Sequence, residues 1–229
     1  PMFDAETQAG YHAHRLGLDV NLFGIVNEGR ARQHNLIYYE GFKHGSEHVC
    51  SMLNFYLETI DQRLGRASTL SIFSDSCSGQ NRNNIVLGFF LRRIELGLNK
   101  RIEWNFMAVG HTKFAPDRGF GYIRCKEKTT HAYDGEELLK MIDESATSNV
   151  GVEMPDDYFR QWKDWTNVRY DKLKGIKKER IVQIVLEQEE GGADGIHKVK
   201  VTKKIVKHMP INDLKCEFEV VPVPSLQKQ

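Results

Sequence analysis

The sequence predicts an α/β domain, a mixed sheet flanked by helices, and three observations carry that expectation. Two β-like runs near the start face each other across a turn. From residue 46 onward, amphipathic helical stretches alternate with short apolar runs. Between two of those helices, Leu70-Ser71-Ile72-Phe73-Ser74 climbs to a single acid, Asp75, and the chain then breaks into Ser76-Cys77-Ser78-Gly79-Gln80-Asn81. A buried strand that ends in a carboxylate and a small-residue loop is how an α/β sheet presents a side chain to a crevice at its carboxyl edge.

In order, residues 1–14 read as irregular. From Arg15, Leu16, Leu18, Val20 and Leu22 alternate with polar or small residues, and Phe23–Val26 extends the strand. Asn27-Glu28-Gly29-Arg30 supplies the turn, and Asn35–Glu40 returns as the hairpin partner. A helix follows with Ser46 as expected N-cap, Glu47 in the first turn, and Val49, Met52, Leu53, Tyr56 and Ile60 on one face. After the Asp75 strand comes a helix from Asn84 to Leu98, apolar at Val86, Phe89, Phe90 and Ile94, with Arg92 and Arg93 on its polar side and Asn83 as expected cap. Arg101–Val109 is another strand, running into a polar loop, Gly110–Gly121, and Gly135–Ser145 is a further helix.

Composition changes after Val150. Asp156–Val168 reads as an aromatic helix whose Trp162 and Trp165 dock on the core, and Lys177–Gln188 and Ile196–Met209 read as two strands of a basic hairpin. The expected organisation is a core over residues 1–150 with an appended helix and hairpin over 151–229.

The chain has 229 residues, 40% hydrophobic and 28% charged, and a formal net charge of +1, so any nucleic-acid surface must be local. No apolar run is long enough to cross a bilayer. The four cysteines lie far apart with no CxxC pair, which argues for an intracellular, reduced setting without structural zinc. A start at Pro1 with no methionine is what a piece of a longer protein would show.

Three carboxylates fall at element ends: Glu47 at a helix start, Asp75 at a strand end and Asp117 in the following polar loop. Magnesium and manganese take hard oxygen ligands, and two such ions ~3.5–4 Å apart can activate water and stabilise a leaving oxygen in phosphodiester cleavage. Such ions need acids delivered by separate elements.

The order of strands and helices is similar to the ribonuclease H-like fold. The motifs Phe23-Gly24-Ile25-Val26, Gly45-Ser46-Glu47, Ser74–Asn84, and Val109-Gly110-His111-Thr112 with Asp117–Gly121 resemble an uncharacterised domain of transposon-type proteins from invertebrates, oomycetes and other eukaryotes. The resemblance spans roughly residues 1–170. It implies a divalent-metal-dependent nuclease or transposase acting on nucleic acid, DNA first, in the nucleus, with Mg2+ or Mn2+ (two ions if active) held by Asp75, Asp117 and Glu47. His111 would move a proton or position a ligand. It also implies a first acid on a strand upstream of Pro1–Gly10, with Asp4 as the nearest substitute.

Each residue has a plainer alternative. Asp75 can be a turn-former, Glu47 a helix-dipole acid, Asp117 a Pro-Asp turn residue and His111 a loop hydrogen-bonder. Gln80 and Asn81 can meet phosphate or bases or simply cap the helix starting near Asn83, while Arg82, Lys113 and Arg118 are expected to meet nucleic acid. Lys198 and Lys200 share one strand face, which can track phosphates or simply guard a sheet edge. A catalytically silent binding or assembly module, an oligomer included, and a host-protein interaction domain are the competing functions.

Overall fold

The first sheet grows from the expected hairpin. In the computed structural model, which describes residues 2–3, 11–13, 18–39, 45–107, 115–187 and 198–204, strands β3 (Leu18–Asn27) and β4 (Arg32–Tyr39) pair antiparallel, from Val20 opposite Tyr39 to Asn27 opposite Arg32. Two short strands, β1 (Met2–Phe3) and β2 (Tyr11–Ala13), pair antiparallel with β3. In a second sheet, β5 (Thr69–Ser74) runs parallel to β6 (Arg101–Phe106). Met2–Phe3, a poor strand by composition, lies against β5 as well, so β1 stands where the two sheets meet.

Period-two alternation gives each sheet two distinct sides. On one side, Phe23, Ile25, Leu36 and Tyr38 of the first sheet and Leu70, Ile72, Ile102 and Trp104 of the second share a single core. Helices α1 (Ser46–Phe55), α3 (Asn84–Glu95) and α6 (Trp162–Arg169) cover that side. A π-helical turn, Tyr56–Ile60, joins α1 to the short α2 (Gln62–Gly65). On the opposite side, Val20, Leu22 and Ile37 pack against Phe120 and Ile123 of α4 (Ala115–Glu127) and Leu138, Met141 and Ile142 of α5 (Gly135–Ser145).

Several expectations are met closely. Val49, Met52, Leu53 and Tyr56 are buried on one face of α1 and its π extension. Asn83 caps α3, its Oδ1 accepting from the N–H groups of Ile85 and Val86 at 3.0 and 3.2 Å. The helix over Gly135–Ser145 is capped by Asp134, whose Oδ1 accepts from Glu137 N–H at 2.8 Å.

Others need correction. The described end of the expected polar loop is the start of helix α4: Pro116 suits a first turn, Asp117 complements the helix dipole, and Phe120 with Ile123 forms an apolar pair. Gly119 and Gly121 mask that signal, yet Gly119 is there for closeness, since a Cβ would come within 2.1 Å of Gln33 Oε1 on β4. Gly45 rather than Ser46 is the N-cap of α1. Arg93 is not on the polar side but buried, its Nε bonded to Asn99 Oδ1 at 3.0 Å and its Nη2 to Gly65 O at 2.5 Å. Burial pulls its guanidinium down to about 10.

The described part of 151–229 is not packed as an appendage. The aromatic helix is shorter than expected, because Asp156–Tyr158 forms a separate 3-10 turn. Trp162 is buried, its ring edge-on to Phe89 at 5.1 Å and its Nε1 donating to Ser51 Oγ at 3.1 Å. A further strand, β7 (Asn149–Glu153), adds parallel to β4. Strand β8 (Ile181–Glu187) pairs antiparallel with β6, and β9 (Lys198–Lys204) pairs antiparallel with β8, so the hairpin extends the second sheet. Among the described residues no helix is long and apolar enough to cross a membrane.

A buried polar cluster closes the turn end of the hairpin. Asp61 Oδ2 accepts from Asn27 Nδ2 at 2.7 Å and lies 3.6 Å from Arg30 Nη1. Tyr56, its hydroxyl pushed up to about 12 mainly by burial, meets the His34 ring edge-on at 5.2 Å. Burial holds the His34 imidazole below its ordinary 6.5, and Arg32 and Arg30 add to this while Asp61 opposes it. A depressed histidine stays neutral in the fold while the unfolded chain takes up a proton. Stability should therefore decline as pH drops below about 6.5. Urea midpoints at pH 7.5 and 5.0 should differ less for His34→Gln than for the parent; an unchanged difference would refute this assignment.

Candidate functional site

Asp75 is where β5 hands over to a loop that the chain builds from its own polar groups. Its Oδ1 accepts from Cys77 N–H at 3.0 Å and from Asn81 Nδ2 at 2.6 Å, while Oδ2 takes part in neither bond. The Cys77 carbonyl accepts from the N–H groups of Gln80, Asn81 and Arg82 at 3.4, 2.9 and 2.9 Å. Ser76 Oγ donates to Met107 O at 2.7 Å, and Met107 N–H donates to Ser74 O at 3.0 Å, which ties the loop to the end of β6. The Asp75 carboxylate is therefore set in place by the fold, in a half-buried position.

The start of α1 sits against this loop, because Ser46 Oγ donates to Gly79 O at 3.0 Å. Glu47, the next residue, is half-buried and its Oε1 accepts from Lys163 N–H at 3.0 Å in the first turn of α6. Asp117 lies in the first turn of α4, half-buried, with Arg118 exposed beside it. Helices α1 and α4 pack on opposite sides of the first sheet, so Glu47 and Asp117 approach from different sides. His111 and Lys113 lie outside the described residues, as does Asp4.

The residues expected at nucleic acid divide similarly. Asn81 is buried, with an amide hydrogen committed to Asp75. Arg82 donates to the Glu179 carbonyl and its guanidinium lies 4.8 Å from the centre of the Phe106 ring. Burial lowers its pKa. Both serve the loop's architecture. Gln80 Oε1 is buried without a hydrogen-bond partner among the described residues. Lys198 and Lys200 occupy β9 opposite Glu187 and Val185, with side chains outside the described set.

Hard oxygen donors of the kind magnesium or manganese requires are present at Asp75, Glu47 and Asp117. Yet among the described residues no three His, Cys, Asp or Glu side chains come together as a group that could hold an ion. These residues alone do not complete a metal shell. Sequence reasoning missed the anchoring roles of Asn81, Arg82 and Asn84. The last accepts from Leu173 N–H at 2.9 Å through Oδ1 and holds a distant segment against the loop. An Asp-to-Asn spacing of six across a Ser-Gly loop was the available signal for the first of these.

No curated protein and no solved structure matches the chain significantly. Residues 11–202 match the model of a family described as a domain of unknown function, DUF7869, and the chain belongs to that family.

Proposed function

We propose that the chain is a nuclease- or transposase-like domain of ribonuclease H-like arrangement that acts on nucleic-acid phosphodiesters, DNA first, with a divalent metal requirement. The observation that carries this reading is the Asp75 carboxylate, set by its loop at the carboxyl end of a parallel strand with one oxygen outside the loop's own bonds. Element order supports it. A hairpin, a helix beginning Ser46-Glu47, the β5–Asp75 unit, a helix and a parallel strand follow one another as in that superfamily. The position of β1 between β3 and β5 supports it too, since Asp4 follows Phe3 directly and is the natural candidate for the first acid. Asp75 is assigned to the reacting centre, with Asp117, Glu47 and His111 as partners. Magnesium or manganese, when bound, would supply charge stabilisation at the phosphate.

The test is cutting of a labelled DNA duplex in magnesium, in manganese and in chelator, by the parent and by Asp117→Asn. Metal-dependent cutting by the parent that the variant loses is expected; equal cutting by both would remove Asp117 from the site.

A second reading, a nucleic-acid-binding or assembly module without catalysis, is favoured by one observation. Glu47 Oε1 and Asp75 Oδ1 both already accept backbone N–H groups, as structural carboxylates do. Salt-sensitive binding without cutting, and no thermal shift with manganese, would select it.

A further inference from the structure

We infer that the segment from Lys172 to Arg180 is the element that grips the phosphate backbone of nucleic acid beside Asp75, an assignment that rests on the reading above. The residues sort by burial. Leu173, Ile176 and Glu179, three apart, are turned inward, while Lys172, Lys174, Lys177, Lys178 and Arg180 are exposed. Leu173 and Ile176 belong to the main core, so the strip is seated rather than dangling. Five cations and two acids fall within residues 171–180, a local net charge of +3 where the whole chain carries +1. Lys172, Lys177, Lys178 and Arg180 form no ion pair among the described residues.

Its place is fixed by three backbone ties to the Asp75 region. Asn84, just past the Asp75 loop, exchanges hydrogen bonds with Leu173 N–H at 2.9 Å and Leu173 O at 3.5 Å. Arg82 donates to the Glu179 carbonyl. Phe106 N–H donates to Arg180 O at 2.8 Å, one residue before the Met107 that holds Ser76. The strip thus borders the same end of β5 and β6 from which Asp75 emerges. Lys172, Lys177, Lys178 and Arg180, exposed on a backbone tied in this way, can meet successive phosphates of a polyanion, and each phosphate neutralised adds a counterion-release contribution to affinity.

The experiment compares two triple variants of equal charge change in the full chain. One carries Lys172→Gln, Lys177→Gln and Lys178→Gln. The other carries Arg63→Gln, Arg66→Gln and Lys100→Gln, exposed cations near the opposite end of the second sheet, where Lys100 N–H bonds Ser68 O. Binding of a labelled duplex is followed by fluorescence anisotropy across a salt series, with vesicles of anionic lipid as a second probe. The strip variant should bind the duplex at least ~10-fold more weakly near 0.15 M salt and lose about 2–3 from the slope of log affinity against log salt. The control triple should stay near the parent. Equal weakening of both triples, an unaffected strip variant, or parent binding to vesicles but not to duplex would each overturn the assignment. Strip-dependent binding without metal-dependent cutting would uphold it while removing the nuclease reading.

Discussion

On the nuclease reading, asparagine at position 75 is expected to leave the domain folded and to reduce metal-dependent cutting of DNA at least ~100-fold. Loss of mere supporting groups around a metal costs about 10–100-fold, and a direct carboxylate ligand should cost more. The substitution is chosen for what it retains. An amide oxygen can still accept from Cys77 N–H and Asn81 Nδ2, so the loop keeps its bonds while the negative charge disappears. The thermal midpoint should stay within about 2 °C of the parent, as expected for a change of under ~0.5 kcal/mol in a domain of this size. Asp75→Ala makes the contrast: it strands Cys77 N–H and the buried Asn81 amide, and should lower stability by about 1–3 kcal/mol. Full cutting activity in Asp75→Asn would leave the carboxylate only as a loop former.

Trp162→Ala should be the most damaging change to the fold, costing about 3–5 kcal/mol. The indole is buried between α1 and α3, against Phe89, and its Nε1 satisfies Ser51 Oγ. The same hydroxyl also accepts from Arg160 N–H at 3.1 Å, so truncation weakens a junction as well as opening a cavity. A loss of that size corresponds to roughly 10–15 °C in thermal midpoint. The transition should stay single, because α6 and β8 share the core of the first half. Two resolved transitions, with the earlier one confined to the aromatic helix, would show that residues after 150 fold as an independent unit.

Much of this arrangement was legible in residue order, for identifiable reasons. The β3–β4 hairpin declares itself by alternation across Asn27–Arg30, and α1 and α3 by their apolar spacing, α3 also by Asn83 at its cap. Helix α4 was hidden because Gly119 and Gly121 weaken its pattern; Gly119 answers to a close approach on β4, not to local preference. Arg93 read as a surface cation because only the carbonyl of Gly65 and the amide of Asn99, brought together from elsewhere, make its burial tolerable. Strand β7 was missed because five residues around Gly151 carry little signal until β4 supplies their partner.

By itself, the sequence determined which segments become strands and helices wherever period and caps agree, and that a lone acid follows a buried strand, since those properties are local. Tertiary structure decided what could not be local. It tied the Asp75 loop to the end of β6 through Ser76 and Met107, and it drew the hairpin into the second sheet. It also turned the cations of 172–180 outward, because burial of Leu173 and Ile176 depends on a core assembled from distant parts of the chain.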